Sequence, residues 1–244
     1  MKAVRLFWWL LPIAALAAPV GAKGLPSGEE VVRRVRAAGS GVRDFTVDIT
    51  LRVRMEKVSM PDIAVRVFHK RPNKTKLQPL KGFAIIPRGS LPIGDPFARL
   101  GEHFAASTVG KDRLAGRPAY QLRLTPREEA GPQTLYAWVD AERWVVLRLR
   151  SQTLRGEPMV SDITYQRCQG RYWLPSEIVA RAKLPEPGSG PHGRRFGKPG
   201  APPTPGVPGA ALRPATITVT FENYRVNTGL PDSLFQEQPK GAQP

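Results

Sequence analysis

The residues that could catalyse a reaction or bind a metal are few and lie far apart in the chain. The three histidines are His69, His103 and His192. None of them stands in an H-x-H or H-E-x-x-H pattern, and the sequence has neither a G-x-S-x-G motif nor a P-loop. We therefore expect no metal, no cofactor and no catalytic residues, and an enzyme is not the class that the sequence favours.

Cysteine chemistry is limited to Cys168, the one cysteine of the chain. A single cysteine cannot form an internal disulfide. It lies in the polar stretch Arg167–Gly170 and has no histidine near it in sequence, so we expect a free thiol and not a nucleophile.

The residues best suited to hold an anion are Lys70, Arg71 and Lys74, which follow one another at the end of a predicted strand. Arginine binds phosphate or carboxylate as a bidentate fork, and lysine binds it as a point charge. If they lie beside an apolar opening, these side chains would form the rim of that opening or bind a lipid headgroup there. The alternative is an ordinary turn whose charges are solvated.

The N-terminus is typical of a secretory signal peptide. Lys2 and Arg5 precede an apolar run from 6 to 18, and Val20-Gly21-Ala22 offers a cleavage site before Lys23. The run is shorter than the roughly 20 residues of a membrane-spanning helix. We predict that residues 1–22 are removed and that the mature protein is periplasmic.

The formal net charge of +17 at pH 7 favours anionic partners. In an exported protein these are phospholipid headgroups, lipopolysaccharide or acidic wall polymers, and nucleic acid is not expected. An arginine-rich codon bias of a high-GC genome explains the same charge equally well.

Apolar residues alternate strictly with polar ones from Phe45 to Met55, and Ile63, Val65 and Val67 repeat this pattern. Period-two alternation predicts strands with one buried face, as in antiparallel sheets. Similar runs up to Phe221 indicate about eight to ten strands, the count of a large curved sheet or barrel. The predicted apolar inner face consists of Phe45, Val47, Ile49, Leu51, Val53, Val65, Val67, Phe83 and Ile85.

Two short helices are predicted beside the sheet. Ser27 and Glu30 have the spacing of a capping box, and Gly39 ends the helix that follows. Phe97, Leu100 and Phe104 recur at helical spacing. If the sheet is too wide for these helices to cover, an apolar cavity remains. The alternative is an interior filled by side chains.

A single domain is predicted over 23–184 and 215–238. Residues 185–214 are rich in proline and glycine and show no hydrophobic period, which predicts a disordered insertion. Residues 239–244 form a polar tail.

The order and spacing of four passages resemble LolA/LolB-type outer-membrane lipoprotein carriers and the wider outer-membrane lipoprotein-sorting family. The passages are Val42–Thr50 after the first helix, Val67–Lys74, Leu114–Pro126 with Leu135–Asp140, and Ile217–Phe235. The resemblance implies a mainly β (α+β) fold, in which a strongly curved antiparallel sheet forms an incomplete barrel covered by short helices.

The same resemblance implies an apolar cavity for the acyl chains of a lipoprotein, a periplasmic shuttle role, and neither catalysis nor a cofactor. The first hypothesis is therefore a periplasmic carrier of lipid or lipoprotein acyl chains. The second is a regulatory module of the same fold that senses envelope lipids and binds a membrane protein. An exported enzyme is the third.

Overall fold

The computed structural model describes residues 24–56, 58–80, 103–127, 134–152, 158–185 and 212–236. The predictions for the signal peptide, Phe83, Ile85, most of the second helix, the interior of the insertion and the tail lie outside these residues. Phe104, which the predicted second helix included, is instead the first residue of a strand.

The described part of the chain contains one α-helix, eleven strands and one 3₁₀ helix. Their bounds, in chain order, are α1 (Gly28–Gly39), β1 (Asp44–Met55), β2 (Val58–Ser59), β3 (Ile63–Lys70), β4 (Lys74–Pro79), β5 (Phe104–Leu114), β6 (Arg117–Pro126), β7 (Leu135–Asp140), β8 (Val146–Gln152), β9 (Pro158–Cys168), β10 (Tyr172–Pro185), β11 (Leu212–Val226) and the 3₁₀ helix Asp232–Phe235.

All the strands belong to one antiparallel sheet. Ten of them follow in the order β4-β3-β1-β11-β10-β9-β8-β7-β6-β5, and β2 pairs with β1 off this path. Among the described residues β4 and β5 do not pair with each other, so the sheet is a curved, incomplete barrel. The fold class predicted from the sequence is confirmed.

β1 lies in the middle of one half of the sheet, between β3 and β11, and its burial follows the predicted alternation. Phe45, Val47 and Ile49 are buried, whereas Thr46, Asp48 and Thr50 are partly exposed. The register between β1 and β11 slips by one residue between Thr46 and Asp48, opposite a bulge in β11.

Helix α1 begins after Ser27, whose Oγ accepts a hydrogen bond from the backbone N–H of Glu30 at 3.2 Å. The cap is as predicted, but the return bond of a capping box is not formed. The Glu30 carboxylate instead pairs with Arg33 and Arg34 at 2.5 and 2.6 Å. A Cβ on Gly28 would lie 2.3 Å from the carbonyl of Ala106, so the helix N-terminus sits directly on β5.

Buried side chains form two separate groups along the sheet. The β1 cluster consists of Val42, Phe45, Val47, Ile49, Val65, Val67, Val219, Phe221 and Val226. The helix cluster consists of Val31, Val32, Leu122, Leu124, Ala137, Val139, Val146 and Ile163. Ile178 of β10 packs against both clusters. Helix α1, the one α-helix among the described residues, contributes Val31 and Val32 to the helix cluster and no residue to the β1 cluster.

Candidate functional site: a cavity between the two clusters

A cavity of about 340 Å³ lies where the β1 cluster and the helix cluster are not in full contact. The C-terminal half of α1, the beginning of β1, the end of β3, the turn between β7 and β8, and the beginning of β10 all contribute to it. The lining residues are Val35, Ala38, Gly39, Val42, Phe45, His69, Arg71, Glu142, Arg143, Trp144, Val145, Val146, Tyr165, Arg171, Trp173, Leu174 and Pro175. Most of them are apolar or aromatic, and the charged ones are mainly arginines.

The turn between β7 and β8 is held by the fully buried carboxylate of Asp140. The backbone N–H groups of Glu142 and Arg143 both donate to Asp140 Oδ1 at 2.9 Å. The guanidinium of Arg117 donates to both carboxylate oxygens. Burial raises the pKa of Asp140, but the hydrogen bonds from Arg117 and from the two backbone groups outweigh this effect and hold the pKa below its usual value.

Trp144 occupies the left-handed region of the backbone, with a φ of 55°. Bulky residues avoid this region, so the surrounding contacts must compensate for the strain. The Trp144 ring stacks on Tyr120 with 5.8 Å between centroids, and the guanidinium of Arg34 lies 4.6 Å from its centroid. The indole is thereby fixed as one wall of the cavity.

Arginines of three different segments reach the cavity. The guanidinium carbon of Arg143 lies 3.8 Å from the centroid of Trp173, and that of Arg171 lies 5.3 Å from the Tyr172 ring. Arg71 Nη2 donates to the carbonyl oxygen of Gly39, at the end of α1, at 3.0 Å. The cavity thus combines an apolar interior with fixed positive charge.

The beginning of β1 is fixed beside the cavity by a loop that follows β11. The buried carboxylate of Asp44 accepts hydrogen bonds from the backbone N–H groups of Thr228 and Gly229 at 2.8 and 3.1 Å. Asn227 Oδ1 accepts from the backbone N–H of Arg43 at 2.7 Å. These bonds set the position from which Phe45 projects into the cavity.

The apolar residues predicted to contact a ligand divide into two groups. Phe45 lines the cavity. Val47, Ile49, Val65 and Val67 are buried in the β1 cluster, and Leu51 packs against that cluster while partly exposed. Val53, farther along β1, is also partly exposed. Contact of any of these residues with a ligand, Phe45 included, stays a prediction.

The predicted basic rim also divides. Arg71 lines the cavity, whereas Lys70 and Lys74 form ion pairs with Asp232 at 2.5 and 2.7 Å. The hydrogen bonds from the two lysines lower the pKa of Asp232 to about 2. Both lysines therefore tie the C-terminal 3₁₀ helix to β3 and β4, and a role in holding a headgroup stays a prediction.

The sequence analysis missed the cavity residues from the β7–β8 turn and from the beginning of β10. Arg143 and Trp144 follow Asp140-Ala141-Glu142, and the sequence analysis assigned neither of them a role. One signal was present: a tryptophan beside a tight turn is too large and apolar to be left in solvent. Trp173, next to the turn before β10, carries the same signal.

Three further features of the described residues are the lone cysteine, the grouping of possible metal ligands, and the length and polarity of the helices. Cys168 is a free, partly buried thiol, and burial raises its pKa, which keeps it protonated and unreactive at neutral pH. No group of three or more His, Cys, Asp or Glu side chains gathers within the described part of the chain. None of the helices described is both long and apolar enough to cross a membrane.

The structure is similar to that of a LolA superfamily protein from Nitrosomonas europaea. The identity is 10%, the match covers 87% of this chain and 99% of that chain, and the TM-score is 0.55. A DUF1329 family protein from Desulfovibrio piger matches with 11% identity, coverage of 86% and 95%, and a TM-score of 0.56.

A domain from Vibrio parahaemolyticus that is assigned to the outer membrane lipoprotein-sorting proteins matches with 12% identity, coverage of 85% and 95%, and a TM-score of 0.50. No family profile matches the sequence, and no curated protein matches it. Similarity at these identities shows the fold alone. The chain has a LolA-like fold.

Proposed function

We propose that the protein is a periplasmic, non-catalytic carrier that holds the acyl part of a lipid or lipoprotein in the cavity between the β1 cluster and the helix cluster. The observation that carries the proposal is the cavity itself, which has about 340 Å³ of space and mainly apolar walls. Cavities of about 300–1,000 Å³ with such walls are typical of small-molecule sites. Each methylene buried there contributes about 0.8 kcal/mol to binding.

Three further observations support a carrier. The LolA-like fold is shared with a domain assigned to lipoprotein sorting. The N-terminal residues predict export. The apolar walls come from separate elements, since Val35 lies on α1, Phe45 on β1 and Leu174 on β10.

The first test is native mass spectrometry of the mature protein isolated from its own envelope. A carrier retains a lipid or an acylated peptide, and delipidation lowers its thermal stability. A single membrane protein bound at fixed stoichiometry, with no lipid, would instead favour the lipid-sensing module.

The second test fills the cavity. Val35→Trp places an indole in it, whereas Val109→Trp adds the same side chain at a position on β5 that is 50% exposed. The probe is N-phenyl-1-naphthylamine, an uncharged dye that fluoresces in apolar surroundings. We expect Val35→Trp to weaken dye binding by about ten-fold or more and Val109→Trp to leave it unchanged. Equal dye binding by both variants would show that the cavity is not the binding site.

A further inference from the structure

The cavity has the size and charge of a site for one particular class of amphiphile. We infer that it selects a molecule with one acyl chain and an anionic head, a carboxylate or a phosphate, and that Arg143 and Arg171 hold that head with help from the charge of Arg71. The inference rests on the proposed function and narrows it from acyl chains in general to a single chain with a negative end.

Size favours a single chain. An apolar cavity of about 150 Å³ holds one benzene molecule, which has six carbon atoms. By that measure a cavity of about 340 Å³ holds roughly a dozen carbon atoms. This is most of one acyl chain. A lipid anchor with two or three chains needs a space several times larger.

Charge favours an anionic head. Among the described residues no carboxylate forms a salt bridge with Arg143 or Arg171. Their guanidinium groups lie over the rings of Trp173 and Tyr172. A guanidinium is attracted to an aromatic ring without using up its N–H donors, and these donors match the two oxygens of a carboxylate or phosphate.

The other polar groups of the lining do not cancel this charge. Glu142 is the one carboxylate in the lining, and it lies 2.9 Å from the guanidinium of Arg117. Arg71 donates to the carbonyl of Gly39, where it opposes the partial negative charge at the C-terminal end of α1. His69 is buried with its Nδ1 3.1 Å from Thr75 Oγ1.

The arrangement also excludes one common head. A choline group would bring a cation against three guanidinium groups, and like charges repel each other. A zwitterionic single-chain lipid should therefore bind less tightly than an anionic one of the same chain length.

The experiment measures binding of single-chain probes to the mature protein below their critical micelle concentrations. The probes are palmitate, palmitoyl lysophosphatidylglycerol and palmitoyl lysophosphatidylcholine, which separate a carboxylate, a phosphate and a zwitterion. We expect the two anionic probes to bind on the order of ten-fold more tightly than the zwitterion. Equal affinities would overturn the selection of an anionic head while leaving the carrier proposal in place.

Variants locate the head. In the double variant Arg143→Gln, Arg171→Gln we expect the affinity for the anionic probes to fall about ten-fold, so that the preference over the zwitterion disappears. The matched control is Arg123→Gln, Arg150→Gln, which removes the same charge outside the cavity lining and should change neither affinity. The double lysine variant at 143 and 171 keeps the charge and should retain most of the preference. Arg171 is exposed, so Arg171→Gln alone tests the idea if the double variant unfolds.

Chain number is tested with vesicles that contain equal amounts of palmitoyl lysophosphatidylglycerol and dipalmitoyl phosphatidylglycerol. Native mass spectrometry of the recovered protein should show the single-chain lipid. Preferential recovery of the two-chain lipid would overturn the size argument alone. Absence of binding to every probe, the uncharged dye included, would overturn the proposed function and this inference together.

Discussion

One wall of the cavity lies at the ends of β1 and β3, and another lies at the turn between β7 and β8 and at the beginning of β10. They are called the strand wall and the turn wall. The strand wall consists of Val42, Phe45, His69 and Arg71, at the ends of β1 and β3. The turn wall consists of 142–146, between β7 and β8, and 171–175, at the beginning of β10. The strand wall is positioned by the register of a sheet with many backbone bonds. The turn wall depends on one buried carboxylate and on stacked aromatic rings.

The difference indicates where stability and selectivity are located. The strand wall continues into the tightly packed β1 cluster, so its side chains have little freedom to move. The turn wall brings Arg143, Trp144, Arg171 and Trp173, which supply two of the three arginines and both indoles of the lining. We expect ligand selection to respond to changes in the turn wall and global stability to respond to changes in the β1 cluster, with Asp140 as the residue on which both depend.

The largest effect is expected for Asp140→Ala. This change leaves Arg117 without its main partner and two backbone N–H groups of the turn without an acceptor. Removing one partner of a buried ion pair costs about 3–5 kcal/mol. Because Arg117 is partly exposed, we expect a loss of about 3 kcal/mol in the free energy of unfolding, measured by urea denaturation, and a changed near-ultraviolet signal from Trp144.

The matched change in the other half of the molecule is Asp44→Ala. This carboxylate is also buried, but it accepts its bonds from Thr228 and Gly229 and not from an arginine. We expect a smaller loss of about 2 kcal/mol in the free energy of unfolding. The preference for anionic probes, which depends on Arg143 and Arg171, should stay unchanged. A larger cost for Asp44→Ala than for Asp140→Ala would show that the turn wall does not depend on its ion pair.

A second pair of variants compares filled space with empty space. Val67 is fully buried in the β1 cluster, whereas Val35 lines the cavity. Val67→Ala removes close contacts on all sides, and we expect it to cost about 2 kcal/mol. Val35→Ala removes atoms that already border a void, so we expect a cost of about 1 kcal/mol or less.

Equilibrium urea unfolding with a shared m-value measures both variants. Binding of N-phenyl-1-naphthylamine supplies the second readout, and it should change for Val35→Ala only. Equal costs for the two variants would mean that the cavity is closed in solution.

The sequence predicted the strand wall better than the turn wall for a physical reason. Alternation along β1 fixes which side chains face inward, so Phe45 was found from periodicity alone. Asp140, Arg143 and Trp144 are placed by bonds to residues distant in sequence, such as Arg117 and Tyr120. Such contacts leave no local pattern. The same holds for Lys70 and Lys74. Their ion-pair partner, Asp232, lies near the other end of the chain, so there is no local sign of it in the sequence.

A smaller effect is expected for Ser27→Ala, which tests how α1 is held over the cavity. The Ser27 hydroxyl accepts a hydrogen bond from the backbone N–H of Glu30. Without the hydroxyl, this N–H can bond only to water. We expect a cost of about 1 kcal/mol. Ser27→Asp, which restores an acceptor, should recover most of this stability. Thermal unfolding of both variants provides the measurement. If Ser27→Ala is neutral, the contact of Gly28 with β5 is sufficient to fix the helix.

The smallest effect at neutral pH is expected for Asp232→Asn, which breaks the bonds from Lys70 and Lys74 outside the cavity. The pKa of Asp232 in the folded protein, about 2, lies below its ordinary value of 3.8. The ion pairs therefore contribute stability above about pH 4, and this contribution is lost as the pH falls through about 2.

The wild-type protein should lose more stability between pH 4 and pH 2 than the Asn variant does, because only the wild type must protonate this carboxylate. High salt should reduce the difference, since Asp232 is exposed and its charge is screened. Urea midpoints across this pH range provide the measurement. The dye affinity at neutral pH should be the same for both proteins. A clear loss of dye binding in the variant would mean that Lys70 and Lys74 contribute to the cavity's rim, as the sequence analysis predicted.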